Sequence, residues 1–440
     1  LAECGFRRFQ PSALTAYPGV EDYLAFDEES GRLVHLHLHH RLTLGQKHLK
    51  GYRLPWEGRV LDTRVLDAKH GIYTSSTDME LLLHLVRDGL KRRLRTSLRR
   101  ALKPTTKTDD FRREYDWLVS KADLETVLEL SSGLLGEKAS LGVQRLIEGN
   151  LAEADRAAFA KLVRVSLDQY RTVGRLTAGP LAFVREAFWV LGGLSKRYFH
   201  WALPLRRFSP RGGVVVALIG SDGAGKSTTC KRVMDTFSKK LDVSFIYFGS
   251  GDGPASILRA PLVLLRRFVQ PNRKAPTSEG SGGKSGVKRS LRRAAKLVWA
   301  TTLAFEKRGK LRKMVRARNR GLLVITDRFP QDQVKGFNDG PLLHDYAQSN
   351  SGLIRWLSAW ESGIYAEAAQ TPPDVVVKLL APIETALGRR PEMARAEIER
   401  RLETVRSLTF SDEAEVIEIS TDQPADHVSS QVCTAAWRRL

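Results

Sequence analysis

From Pro210 onward, five short apolar runs alternate with segments of helical period. The runs are Val214–Ile219, Val243–Phe248, Leu322–Thr326, Val375–Leu380 and Val416–Ile419. Strands alternating with helices predict a parallel sheet covered on both faces. The expected fold over 210–440 is therefore α/β, three layers around a five-stranded parallel sheet. Residues 271–286 are rich in Gly, Ser and Pro and read as a flexible loop inserted within this domain.

Two other stretches come first. Residues 1–104 read as an α+β segment. Arg32 to His40 alternates with period two, Asp22–Phe26 reads as a preceding strand, and Asp27–Gly31 as the turn between them. Thr77 to Leu98 reads as a helix with Met79, Leu82, Leu83 and Val86 on one side. Residues 105–209 have helical period throughout and read as a helical region and linker. Trp117, Leu118, Leu124–Leu130, Leu141–Ile147 and Phe159–Val165 are its expected core positions. Pro180 and Gly192-Gly193 read as punctuation. Trp189 to Phe208, aromatic and basic, reads either as an interfacial helix or as a packed linker helix.

At 440 residues the chain is too long for one ordinary domain. A composition of 42% apolar and 27% charged residues is globular. No apolar run approaches the ~20 residues of a membrane span, and no signal peptide opens the chain. The first residue is Leu1, and the first residues read as the middle of a fold, so a fragment is expected. Cys4, Cys230 and Cys433 lie far apart with no CxxC, which argues against a disulfide framework or a zinc site. A cytoplasmic location, free or peripheral to a membrane, is the simplest expectation.

The net charge of +22 favours anionic partners. More than half of it sits in residues 284–320, with fourteen lysines and arginines against one acid, Glu306. Leu291, Ala295, Val298, Thr302 and Phe305 recur there at helical spacing, with Trp299 adjacent, so one or two basic amphipathic helices are expected. Three readings compete. The segment covers an acceptor pocket and attracts a phosphorylated substrate, or touches nucleic acid or an anionic membrane surface, or is a charged solvated face.

The chemistry concentrates at Gly220, Ser221, Asp222, Gly223, Ala224, Gly225, Lys226 and Ser227, a full match to GxxxxGK[ST], followed by Thr228. An apolar run precedes it and a helical segment follows. Glycines let the backbone turn tightly and aim N–H groups at phosphate oxygens, and the helix start adds its dipole. Lys226 can reach the β- and γ-phosphates, and the Ser227 hydroxyl can ligate Mg²⁺. ATP and Mg²⁺ are the expected cofactors. Gly283-Lys284-Ser285 mimics the end of this motif, but Ser278 stands where the first glycine belongs, so it reads as loop.

The second motif is Val324-Ile-Thr-Asp-Arg-Phe329, with Asp327 at the C-terminal end of a strand, where ligands bind in open α/β sheets. An acid there can hold the water shell of Mg²⁺. Arg328 can grip an acceptor phosphate with two prongs. The alternative is a structural Asp–Arg pair. Arg389-Arg-Pro-Glu-Met393 follows the fourth strand. Arg389 and Arg390 there read either as cations that close over the transferring phosphoryl group or as a solvated helical face. Asp374, after Pro372-Pro373, reads as a boundary residue.

Residues 212–440 resemble the thymidylate kinases. The resemblance rests on Gly220 to Thr229, with its acidic residue at Asp222, and on Asp327-Arg328-Phe329. It implies a P-loop kinase fold, phosphoryl transfer to a nucleoside monophosphate, Asp222 facing the acceptor sugar, and a lid at Arg389 and Arg390. Two segments depart from the family. Tyr247-Phe-Gly-Ser-Gly-Asp-Gly-Pro254 replaces Arg-Glu-Pro-Gly-Gly, and Pro330 to Pro341 differs from the usual continuation. Asp252, Asn338 and Asp339 either line an altered acceptor pocket or form turns.

His35, His37 and His39 project from one face of a strand, ~7 Å between neighbours. They are either a zinc-type donor set lacking a fourth ligand or a structural, polar row. Leu1 to Phe6, Gly19 to Tyr23 and this strand resemble the later part of a nucleotidyltransferase-like domain, without the upstream acidic pair such domains need. The three-part arrangement resembles bacterial proteins linked to surface-polysaccharide synthesis, which implies a phosphorylated sugar as an alternative acceptor. The expected function is thus a nucleotide-type kinase. The alternatives are a sugar-phosphate kinase and a P-loop ATPase or switch that binds nucleic acid, membrane or a protein partner.

Overall fold

The structure, a computed structural model, describes residues 1–46, 48–92, 107–198, 205–249, 285–335, 339–391 and 393–440. Asp252, Asn338, residues 93–98 of the expected helix and residues 271–284 of the expected insertion lie outside these. Ser285 already starts a helix. The chain divides into two compact units. One comprises Leu1–Ser12, Tyr23–Leu36 and Lys196–Leu440, the other Ala13–Asp22 and His37–Ser195.

This division departs from the boundaries expected at 104 and 209. Of the N-terminal strands, β1 (Arg7–Pro11) and most of β2 (Val20–Asp27) and β3 (Arg32–His39) group with Lys196–Leu440, while Val20–Asp22 and His37–His39 fall in the other unit. Phe9, Leu24 and Phe26 join the core of the first unit. Phe9 stacks on Trp437 at 5.8 Å and Phe26 lies 5.9 Å from Phe237. The Arg7 guanidinium donates to Trp437 O at 2.5 Å.

The second unit continues with the hairpin of β4 (Leu42–Leu44) and β5 (Tyr52–Leu54), then α1 (Glu57–Asp62). A second hairpin, β6 (Val65–Asp67) and β7 (Ile72–Thr74), is solvent-facing. Among the described residues five helices come next: α2 (Thr77–Lys91), α3 (Lys107–Lys121), α4 (Leu124–Leu135), α5 (Glu137–Glu148) and α6 (Glu153–Ser166). Ser76 caps α2 by accepting from Met79 N. Leu81, Leu85, Leu118, Val127, Val143, Phe159 and Val163 share one core with Leu54 and Trp56. Trp117, expected in that core, is 55% exposed, and Leu141 and Val165 also face solvent. Helical spacing gives a period, and the neighbouring positions Leu118, Val143 and Val163 take the inward phase. Within this unit His37 Nδ1 lies 3.2 Å from Asp22 Oδ1, so Asp22 is a partner of the histidine row that the alternation alone does not reveal.

The unit's last helix, α7 (Arg175–Tyr198), runs unbroken through both Pro180 and Gly192-Gly193. Neither acts as the expected break. Pro180 sits in the second turn, where a missing N–H disturbs few helical bonds.

The first unit resumes at β8 (Arg207–Phe208), which pairs antiparallel with β1 and completes a sheet of order β3-β2-β1-β8. Then come β9 (Val214–Gly220), α8 (Lys226–Phe237) and β10 (Val243–Tyr247). They are followed by α9 (Ser285–Asn319), β11 (Leu323–Asp327) and α10 (Gly352–Gln370). β12 (Val375–Leu380), α11 (Ile383–Arg389), α12 (Arg395–Ser407), β13 (Glu415–Ser420) and α13 (Ala425–Arg439) complete the chain. The expected five-stranded parallel sheet is present, in the order β10-β11-β9-β12-β13. Val214 to Ile219 is buried throughout, as a central strand covered on both faces requires. One face packs Val216 and Leu218 against Val233, Phe237 and Val432. The other packs Val215 and Ala217 against Ala304, Leu311, Met314 and Val405.

The basic segment is one helix of 35 residues. Its inward face is not the expected one. Ala300, Leu303, Ala304, Lys307, Leu311 and Met314 are buried, whereas Val298 and Phe305 are 51% and 59% exposed. Both faces have helical spacing, and contact with the sheet selects the one that the expected positions do not occupy.

Candidate functional site

β9 runs into its loop at Gly220, where a Cβ would stand 2.7 Å from Leu379 O. Only glycine fits so close to the next strand. The loop closes at Gly225, which precedes α8 with φ of +84°, a conformation that side chains resist. Lys226 and Ser227 therefore open the helix, with its N-terminal amides beside them.

Lys226 is buried. Its Nζ donates to Gly220 O at 3.0 Å and Ser221 O at 2.7 Å. Burial, and then the Arg328 charge, push its pKa down to about 8 against the opposing pull of Asp327 and Asp222.

Asp327 ends β11, in register with Leu218 of β9, and is 2% exposed. The Ser227 hydroxyl donates to Asp327 Oδ2 at 2.8 Å. Asp327 Oδ1 is buried without a hydrogen-bond partner in the protein, as is Ser221 Oγ. A buried carboxylate oxygen lacking a donor is costly unless a cation completes it. The paired hydroxyl and carboxylate are oxygen donors of the kind that Mg²⁺ takes, so these residues fit the ion.

Arg328 leaves the strand at φ of +71°, an uncommon conformation for a side-chain-bearing residue. Its N–H donates to Leu218 O. Its guanidinium donates to Asp222 Oδ1 at 2.5 Å and to Asp339 Oδ2 at 3.2 Å. Burial opposes its charge, but Asp339 and Asp222 outweigh that and hold its pKa above the ordinary arginine value. Burial raises the Asp222 pKa, and Arg328, Lys226 and Arg401 more than reverse it. The two sequence motifs thus meet as an ion pair, and Asp222 is held between Arg328 and Arg401.

Arg389 Nη1 donates to Gly223 O at 2.9 Å, which places the end of α11 against the loop. Asp222, Gly223, Gly225, Lys226, Ser227, Thr228, Tyr247, Asp327, Arg328, Arg389 and Arg390 line one cavity of about 830 Å³. Ala224 is buried beneath it. The nine loop residues, Asp327-Arg328 and the Arg389-Arg390 pair are therefore gathered at the C-terminal edge of the sheet. Asp374 lies at the opposite edge, where it accepts from Val215 N and pairs with Arg318.

Two participants carry no distinctive signal in the sequence. Arg401 lies on α12 and also pairs with Glu397, four residues away, so its pattern is that of an ordinary helical surface pair. Lys307, on α9, is fully buried. Its Nζ donates to Asp339 O and Tyr365 Oη, both at 2.9 Å, and burial lowers its pKa to about 8. It anchors the turn that presents Asp339 to Arg328. Fourteen basic residues in one segment hid it.

No family model matches the chain. Among curated proteins it is 27% identical to an uncharacterized ATP-binding protein, YghR, of Escherichia coli, over 227 residues, 49% of this chain and 84% of that one. It is 28% identical to a second, YghS, over 224 residues, 49% of this chain and 88% of that one. Among solved structures, a thymidylate kinase from Candida albicans aligns over 51% of this chain and 91% of its own, with 14% identity and a TM-score of 0.29. One from Ehrlichia chaffeensis covers 51% and 98%, with 13% identity and a TM-score of 0.28. A sugar kinase from Janibacter covers 50% and 93%, with 14% identity and a TM-score of 0.24.

Proposed function

We propose that the unit carrying the five-stranded sheet is an ATP- and Mg²⁺-dependent phosphotransferase acting on a small acceptor, a nucleoside monophosphate. The observation that carries the nucleotide and metal in this reading is the junction of Ser227 with Asp327, whose second carboxylate oxygen is buried and lacks a donor; the acceptor rests on the motif resemblance at Asp222 and Asp327-Arg328 alone. The ATP-binding description of the curated relatives supports the same nucleotide.

Lys226 moves from the loop carbonyls to the β- and γ-phosphates. Ser227 and Asp327 would hold Mg²⁺, which when bound would supply charge neutralisation. Arg389, already bonded to the loop, and Arg390 stabilise charge on the transferring group and exclude water. Asp222 and Asp339 fix the Arg328 guanidinium so that it meets the acceptor with little reorganisation.

A phosphorylated sugar is the second reading, favoured by the departures at 247–254 and 330–341. Phe248, in the first of these segments, packs edge-on against Phe329 at 5.8 Å. A P-loop ATPase or switch is the third. The test is to incubate the protein with ATP, Mg²⁺ and a panel of nucleoside monophosphates and sugar phosphates, and to measure ADP. Stimulation by one acceptor, lost in Lys226→Ala and Asp222→Ala, is expected. Hydrolysis that rises only with nucleic acid, and with no acceptor, would overturn the kinase reading.

A further inference from the structure

We propose that the outer face of α9, with the first turns of α10, docks on an anionic phospholipid membrane surface. The starting observation is the inverted face of α9. Val298 and Phe305, seven residues apart on one line of the helix, are 51% and 59% exposed. Thr301 and Thr302 lie between them, and their hydroxyls donate to Leu297 O and Val298 O of the same helix, both at 2.8 Å. This stretch therefore needs no hydrogen-bond partner from outside. Gly309 continues the line without a side chain, and then come Arg312 and Arg316, both exposed. On the neighbouring α10, Leu353 and Trp356 are 66% and 60% exposed.

Charge identifies the occupant. The charges on this line are Arg312 and Arg316, and the segment's one acid, Glu306, is paired with Lys310 at 2.6 Å; of its other basic residues Lys307 is buried, Arg318 pairs with Asp374 and Lys296 with Asp345. A helix with aromatic and aliphatic residues followed by arginines on one line suits a bilayer. The apolar residues enter the headgroup–acyl boundary, and the arginines meet lipid phosphates. A nucleic-acid backbone would satisfy the arginines but offers nothing to Val298 and Leu353. Among the described residues no helix is long and apolar enough to cross a membrane.

The test is flotation of the full chain, without nucleotide, with vesicles of phosphatidylcholine alone or with a quarter phosphatidylglycerol. Binding to the anionic vesicles should exceed binding to neutral ones at least tenfold and fall as salt rises. Phe305→Ser with Trp356→Ser, and separately Arg312→Gln with Arg316→Gln, should each lower it at least tenfold. Circular dichroism and thermal melting check the fold. Should the aromatic variant unfold, the arginine variant, altered only at exposed positions, decides. Absence of binding to anionic vesicles overturns the proposal. So does equal binding to both vesicles, binding to duplex RNA alone, or a dimer that Phe305→Ser dissolves. Because no nucleotide is present, failure here leaves the kinase reading standing, and the reverse holds too.

Discussion

Lys226 is buried against two backbone carbonyls, with a pKa near 8, so nucleotide binding should take up a proton. Bound phosphates return the ammonium to an anionic setting and raise its pKa toward the ordinary ~10.4. At pH 8 the free protein holds about half a proton on Lys226, so binding draws in about half a proton more; at pH 9 it draws in about 0.9. The same linkage makes affinity fall as pH rises, roughly tenfold between pH 7 and pH 9. The triphosphate contributes little to this window, because a terminal phosphate titrates near pH 6. The assay is titration calorimetry with Mg²⁺ and a non-hydrolysable ATP analogue, in two buffers of different ionisation enthalpy at each pH. Lys226→Ala should abolish the uptake. Lys307→Met should retain it, because Lys307 has the same depressed pKa but bonds Asp339 O and Tyr365 Oη instead of the loop. Flat proton uptake between pH 7 and 9, or uptake that survives Lys226→Ala, would refute the reasoning.

Asp327→Asn should lower acceptor-stimulated ADP formation roughly 100-fold or more, while Mg²⁺-free nucleotide binding stays within a few-fold; equal loss of both would mean the residue is only structural. Lys307 has a folded pKa below its unfolded value, so the unfolded chain binds more protons between about pH 8 and 10.5 and stability rises with pH across that window. Lys307→Met should reduce that rise by up to ~1.4 kcal/mol per pH unit, read from urea titrations at pH 7.5, 9 and 10. Phe9→Ala should destabilise the nucleotide-stabilised unit by ~3–4 kcal/mol, because Phe9 is buried against Trp437; an unchanged melting transition in the presence of nucleotide would contradict the shared core.

The parts of the fold set by local sequence were readable in advance. Val214 to Ile219 is an uninterrupted apolar run flanked by glycines and too short for a helix, which suits a strand covered on both faces. The loop chemistry is local as well, since Gly220, Gly225, Lys226 and Ser227 are fixed by spacing within one turn. Asp327 was legible because a strand end is a sequence feature. What escaped depended on distant partners. Period alone could not choose between the Val298–Phe305 face of α9 and the Leu303–Lys307–Leu311 face, since both repeat helically and contact with the sheet decides. Arg401 and Asp222 are 179 residues apart, and no local pattern links them. Phe9 and Trp437 are separated by nearly the whole chain, so no local pattern ties the N-terminal strands to the last helix, and residues 1–104 read as one α+β segment.

That last pairing imposes an order on synthesis. β1 and β2 leave the ribosome long before the aromatic surface they bury against, which Trp437 of α13 completes. At ~5–20 residues per second, the roughly 400 residues between them take about 20–80 s to make. For that time Phe9, Leu24 and Phe26 have no finished partner. The helices that carry the second core, from Thr77 to Ser166, are made in the interval and can fold first. The unit carrying the five-stranded sheet is thus begun before the helical core and closed after it, its folding held open until Trp437 has been made.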